Sequence, residues 1–240
     1  MNHKVSLICA FLASSILCAK PAAKKMKTPI VHLAELEIDP RQLEPFKAAA
    51  IDNINTTLKS EPGAQEFHAV FKRGSAGHVV VLEAYADQQA YEAHIRSPHY
   101  KTFSSIAGPW VAKKTLHDAL PIILARKPSL SSPELHVRLA EIDVDPIQLD
   151  AYKTEVVEEI ETSVRVEPGV LAIYCVALKD APNQLRLLEI YLSEEAYLRH
   201  RESPHFKKYL AATKSRIRSL KLSEAEAIML GTKTAQSDLH

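Results

Sequence analysis

The sequence predicts an α+β fold built from two ferredoxin-like βαββαβ units that pack on one another within a single polypeptide. Three observations predict it. The chain aligns on itself without a gap at an offset of 106 positions, as Glu35 with Glu141. Within each copy the apolar period switches between that of a strand and that of a helix in the same order. Between the copies runs Arg126-Lys127-Pro128-Ser129-Leu130-Ser131-Ser132-Pro133, whose composition is that of an extended linker.

The repeat carries chemistry as well as packing. Asp39-Pro40 meets Asp145-Pro146, Glu61-Pro62-Gly63 meets Glu167-Pro168-Gly169, and Ser97-Pro98-His99 meets Ser203-Pro204-His205. Glu83 and Tyr85 meet Glu189 and Tyr191, while Tyr91 and His94 meet Tyr197 and His200. The register persists to Ile122 and Ile228. The units are therefore read as residues 30–125 and 134–230, with the linker at 126–133 and a tail at 231–240.

Each element follows from local chemistry. His32 to Ile38 and Leu135 to Val144 read as strands. Asp39 and Asp145, each followed by proline, are helix starts with an acidic N-cap and proline in the first turn. Apolar residues then recur at helical spacing: Leu43, Phe46, Ala50, Ile54 and Leu58, and likewise Leu149, Tyr152, Val156, Ile160 and Val164. Pro62-Gly63 and Pro168-Gly169 end these helices. Two strands follow in each copy, near Glu66–Lys72 and His78–Tyr85, then Val170–Leu178 and Leu185–Leu192. A short helix from about Asp87 to Arg96 precedes Ser97-Pro98, which starts another. A last strand is expected from Trp110 to Leu116, with its partner from Arg216 to Leu222. Four strands with helices on one face leave the other face to be covered, and the second copy is its cover.

The N-terminus reads differently. Asn2-His3-Lys4 precedes an apolar run from Val5 to Leu17, broken only by Ser6, Ser14 and Ser15. This is the pattern of a secretory signal, expected to span residues 1–19 and to place the mature chain in the periplasm or outside the cell. The run is too short to span a membrane, so no membrane association is expected after cleavage. Leu17 ahead of Cys18 argues against lipidation. Cys9 and Cys18 leave with that segment, and Cys175 remains, in an apolar stretch that reads as packing. With 30 Lys+Arg against 29 Asp+Glu, the full chain carries a net charge of +1. Such neutrality gives no footprint for nucleic acid.

The ordered set Glu-Pro-Gly, Glu-x-Tyr, Ala-Tyr-x-x-His and Ser-Pro-His-Tyr/Phe-Lys resembles the antibiotic biosynthesis monooxygenase (ABM) family, in both copies. The resemblance implies a dimeric α+β barrel formed here within one chain, with a pocket in each unit between the sheet and its helices. It also implies oxygenation of a small quinol-like or phenolic substrate, with O2 as co-substrate and no cofactor. The substrate anion would itself reduce O2. A binding module for a small apolar or haem-like ligand, or an isomerase of a small metabolite, are the other activities open to such a scaffold. Haem is disfavoured, because Tyr85 and Tyr191 stand where haem-degrading relatives carry tryptophan.

Within this frame the catalytic candidates are His94, His99, Tyr85 and Glu83. His94 or His99 would be the base and Tyr85 the partner of an oxyanion. Glu83 shares strand parity with Tyr85, Val79 and Val81, so its carboxylate must find a partner or titrate upward. His94 follows Tyr91 by three positions on one helix face, and His99 sits in a first helical turn. Each of these also has a structural reading as a satisfied packing residue. Tyr91, Glu189, Tyr191, His200 and His205 are candidate substrate-binding positions. So are His32, His68 and Trp110, which become Arg138, Tyr174 and Arg216 in the second copy and point to the first unit as the richer site. No metal site is expected, since His94-x4-His99 has no acidic neighbour at zinc-like spacing.

Overall fold

The computed structural model describes residues 28–233. The predicted signal segment, Cys9, Cys18 and most of the tail lie outside them. In the first unit, β1 (Ile30–Ile38) is followed by α1 (Leu43–Ser60), β2 (Ala64–Lys72), β3 (His78–Tyr85), α2 (Gln88–Arg96), α3 (Pro98–Ala107) and β4 (Val111–Arg126). The second repeats the order as β5 (His136–Val144), α4 (Leu149–Val166), β6 (Val170–Leu178), β7 (Ala181–Tyr191), α5 (Glu194–Glu202), α6 (Pro204–Thr213) and β8 (Ile217–Thr232). The predicted serine starts cap α3 and α6, whereas the predicted aspartate starts cap 3-10 turns, Pro40–Gln42 and Pro146–Gln148, that lead into α1 and α4. Asp39 and Asp145 accept from the backbone of Arg41 and Ile147, and Ser97 and Ser203 accept from Tyr100 and Phe206.

The eight strands close into one antiparallel barrel in the order β1-β3-β2-β8-β5-β7-β6-β4. Its closure depends on the last strands, which are far longer than the sequence suggested. The first part of β4 pairs with β1, and from Ala119 to Arg126 it pairs with β6 of the other unit. The last strand β8 does the same, leaving β5 near Ala225 and running along β2 to Thr232. Each unit thus lends half a strand to its sister, which satisfies the edges that an isolated four-stranded sheet would expose. Trp110 belongs to a 3-10 turn ahead of β4 rather than to the strand.

Three apolar cores result. One fills the barrel and mixes both units, with Val31, Leu33 and Leu82 meeting Tyr174, Val176 and Leu188. Leu130 of the expected linker is buried there as well, so that segment contributes to the core it was expected only to bridge. The others lie between each sheet and its own helices. The glycine of each Glu-Pro-Gly turn has a packing reason. A Cβ on Gly63 would stand 2.3 Å from the Ala90 Cβ, and one on Gly169 2.5 Å from that of Ala196, so α2 and α5 can lie close over the turn. Among the described residues no helix is long and apolar enough to cross a membrane.

Candidate functional site

The site of the first unit begins with Glu61, the residue at which α1 ends. Its Oε1 accepts from His94 Nδ1 at 3.0 Å and lies 2.7 Å from His99 Nε2. Ser97 Oγ and Thr57 Oγ1 also contact His99 Nε2, at 3.2 and 3.3 Å. A carboxylate only accepts, so His94 donates from Nδ1, and in the neutral imidazole this tautomer leaves Nε2 as a lone pair. That Nε2 is buried and has no hydrogen-bond partner. The arrangement is that of an oriented base, with a carboxylate fixing the tautomer of an imidazole. His99 has its Nε2 engaged by three oxygens and is a brace for Glu61 rather than a free base.

Glu83 and Tyr85 point to the same side of β3, as strand parity predicts. The Tyr85 hydroxyl donates to Glu83 Oε2 at 2.7 Å. Burial, and then the negative charge of Glu83, push the Tyr85 phenol far above its ordinary range, so it stays protonated. Its one hydrogen is committed to Glu83, and the expected role of Tyr85 as a donor to substrate is not available in this geometry. The side chain that reaches the open space is Tyr100, which sequence reasoning passed over.

That space is a cavity of about 70 Å³ between the sheet and the helices α1 and α3. Phe46, Ala50 and Phe103 wall it, while Asn53, Glu83, Tyr100 and Lys114 supply its polar groups. His94 packs edge-on against Phe67, another lining residue, and lies 4.8 Å from the Tyr100 ring. Asn53 is 4% exposed and its Oδ1 has no partner. A polar residue on the apolar face of α1, between Ala50 and Ile54, was the sequence signal for it.

Other predicted positions fall elsewhere. His32 lies under α2, its ring 4.1 Å from Tyr91 and its Nδ1 3.3 Å from Asp118. His68 points into the barrel, where it packs on Tyr174 and meets Glu66 at 3.1 Å, so it does not face the cavity. Arg126 and the Tyr174 hydroxyl complete that network across the two units. Trp110 packs on the outer part of the first helix-side core, and its carbonyl accepts from Asp39 N. Of the predicted first-unit positions only Glu83 lines the cavity; His68 and Trp110 lie away from it, and His94 reaches it only through its contacts with Phe67 and Tyr100. Strand alternation separates His68 from Phe67 and Ala69, but only the register says which face looks at the helices.

Glu189, Tyr191, His200 and His205 repeat the pattern in the second unit. Tyr191 donates to Glu189 at 2.9 Å, and Glu167 accepts from His200 Nδ1 and His205 Nε2 at 2.8 and 2.6 Å. The acidic partner that the sequence did not offer to His94 and His99 is therefore Glu61, 33 residues before His94 and brought to it by the fold. Its ligand atoms and theirs lie within 4.8 Å of one another, as do those of Glu159, His200 and His205, close enough that a small divalent ion could replace shared hydrogens. Cys175 is completely buried and burial raises its thiol well above the usual range, which makes it a packing residue.

Glu159 gives a pH signature. Burial raises its carboxyl, outweighing the hydrogen bond from Ser163 and the charge of His200 that lower it. The folded chain then holds a proton that the unfolded chain releases. Stability from this group is complete below the ordinary glutamate range and falls as pH rises through the folded value. Glu159→Gln is expected to be more stable than the parent at pH 8 and equal to it at pH 4, measured by urea unfolding at both. A parent-like Gln variant at pH 8 would contradict this.

The chain is similar to known proteins in both halves. The sequence model of the antibiotic biosynthesis monooxygenase family matches residues 29–105 and 135–212. A solved structure from Lactobacillus acidophilus NCFM, named for monooxygenase chemistry, superposes with a TM-score of 0.81 at 22% identity, covering 86% of this chain and 97% of that one. One from Fusobacterium nucleatum with a similar name gives 0.80 at 23%, covering 86% and 95%. An anthrone oxidase-like protein gives 0.55 at 10%, covering 86% and 94%. These likenesses extend over both units and show the fold. No functionally curated protein is similar in sequence.

Proposed function

The chain belongs to the antibiotic biosynthesis monooxygenase family, and from that we propose that it oxygenates a small phenolic or quinol-type ring in the cavity of its first unit. The observation that carries the reading is the Glu61–His94 pair, which leaves a buried imidazole lone pair without a partner beside the residues that wall a cavity. O2 is the proposed co-substrate, and no organic cofactor or metal is invoked.

In this scheme His94 Nε2 takes a phenolic proton, and the resulting anion delivers electrons to O2. For a hydroquinone the balance is hydroquinone plus O2 giving hydroxyquinone plus water. One oxygen atom ends on the ring and the other leaves as water. Oxidation of the quinol and hydroxylation of the ring together supply the four electrons that O2 accepts. Glu61 holds the imidazole in the productive tautomer, and the apolar walls exclude water from the anion. Size limits the substrate. The cavity of about 70 Å³ is smaller than the roughly 150 Å³ that houses benzene in an engineered core. Even a single ring requires the lining side chains to yield, and a haem macrocycle is far too large.

The test is oxygen uptake by the purified protein with a panel of hydroquinones and dihydroxynaphthalenes. Uptake matched one-to-one by quinone product is expected, and none with any member refutes the reading. Ligand binding without turnover is the second reading, favoured because the Glu–Tyr and Glu–His pairs also recur in the second unit. A location outside the cytoplasm is proposed from residues 1–19. N-terminal sequencing of protein recovered from the periplasm or medium tests it.

A further inference from the structure

The two units are near-identical in backbone plan but not in the space between sheet and helices. Position by position, the offset of 106 sets Ala50 against Val156, Phe46 against Tyr152, Phe103 against Tyr209, Val81 against Leu187 and Asn53 against Glu159. Each of these changes adds atoms on the second side, while Phe67 against Ile173 and Tyr100 against Phe206 remove some. Val156 adds two methyl groups and Leu187 one carbon. The Phe46 and Phe103 rings meet edge-on at 6.0 Å, as the Tyr152 and Tyr209 rings do at 6.1 Å, and the second pair adds two hydroxyls that bond to each other. All four of these second-unit side chains are buried.

The polar end differs in the same sense. Glu159 is buried, takes a hydrogen bond from Ser163 Oγ at 2.6 Å and stands 3.7 Å from His200 Nε2. It therefore lies beside the nitrogen that is unpartnered in the first unit. Asn53 is its counterpart there, shorter by one methylene and with its Oδ1 unpartnered. By the repeat, Asn53 Oδ1 and His94 Nε2 border the same place. Both are acceptors lacking a donor, a costly state for buried groups unless a ligand supplies one.

We propose that the chain has one reacting cavity, in which Asn53 is a substrate-contacting residue that accepts from a hydroxyl of the bound ring. The second unit keeps only a pocket of about 20 Å³ beside Glu159, His205 and Tyr209, too small for a ring, with Glu159 standing where substrate stands in the first. The proposal rests on the reading of the first cavity as the reaction site. The duplicated chain has thus kept one unit for chemistry and the other for completing the barrel.

The test is equilibrium binding of hydroquinone to the full-length mature chain under argon by calorimetry, followed by admission of air. One site per chain is expected. Asn53→Leu should weaken binding about tenfold, the worth of one neutral hydrogen bond, and Asn53→Glu, which copies the second unit, should remove it. Tyr209→Phe, in the second unit, should leave the stoichiometry at one and turnover unchanged. Two sites per chain, or hydroquinone binding to a folded Asn53→Leu as to the parent, overturns the proposal even where oxygen is consumed. The stoichiometry is read on unaltered protein, so a variant that fails to fold does not decide the matter. One site without oxygen uptake supports the single site and its Asn53 contact but overturns the claim that it reacts, while no binding overturns both.

Discussion

His94→Ala is expected to lower turnover by about 10²- to 10⁴-fold, the usual contribution of a positioned general base. The loss should fall on kcat, because the imidazole acts on the proton in the transition state more than on the bound ring. Added imidazole should restore part of the rate, since the substitution opens space beside Glu61 for it. A merely structural histidine would respond otherwise. Its loss would lower stability and activity together, and free imidazole would not restore turnover in the folded fraction. His94→Gln offers a control, because its amide can still donate to Glu61 while lacking a basic nitrogen. Parent-like kcat in a folded His94→Gln protein would exclude His94 as the base.

The second large effect is expected from transplanting the closure of the second unit into the first. Phe46→Tyr, Ala50→Val and Phe103→Tyr together reproduce Tyr152, Val156 and Tyr209. The triple variant should lose at least about 100-fold in turnover, since the added atoms occupy the room that a ring needs. Its stability should not fall, and this separates the prediction from ordinary damage. Two methyl groups buried at about 0.8 kcal/mol each offset the small helical penalty of a β-branched residue. The new hydroxyls can pair as they do in the second unit. Turnover and urea midpoint measured on one preparation decide it. A stable triple variant with unchanged activity would mean that the reaction takes place elsewhere.

Much of the fold was legible because its signals are local. Asp39-Pro40 and Ser97-Pro98 start helices by chemistry confined to a few residues, and the gapless offset required the same plan twice. The closure of the barrel was not legible. The sequence reading ended the last strand near Leu116, yet β4 continues to Arg126, because its second half pairs with β6. Nothing within residues 117–126 names that partner. The candidate base His94 stood out as a repeated residue on a helix, but its partner Glu61 looked like part of a turn signal. Their meeting needs the end of α1 and the middle of α2 to converge.

His68 and Asn53 show the same limit from opposite sides. His68 looked functional by residue type but points into the barrel, and alternation along β2 fixes two faces without saying which one meets helices. Asn53 looked like one polar residue in an apolar stripe, and its importance lies in space left by Ala50, Phe46 and Phe103. By itself the sequence determined the duplication, the order of elements, the caps and the pairing of Glu with Tyr along a strand, because each depends on spacing within one segment. Tertiary structure alone decided the strand exchange, the Glu61–His94 pair and the cavity beside Asn53. A cavity is what remains when side chains from four or five separate elements fail to fill their shared volume, and no one segment encodes that difference.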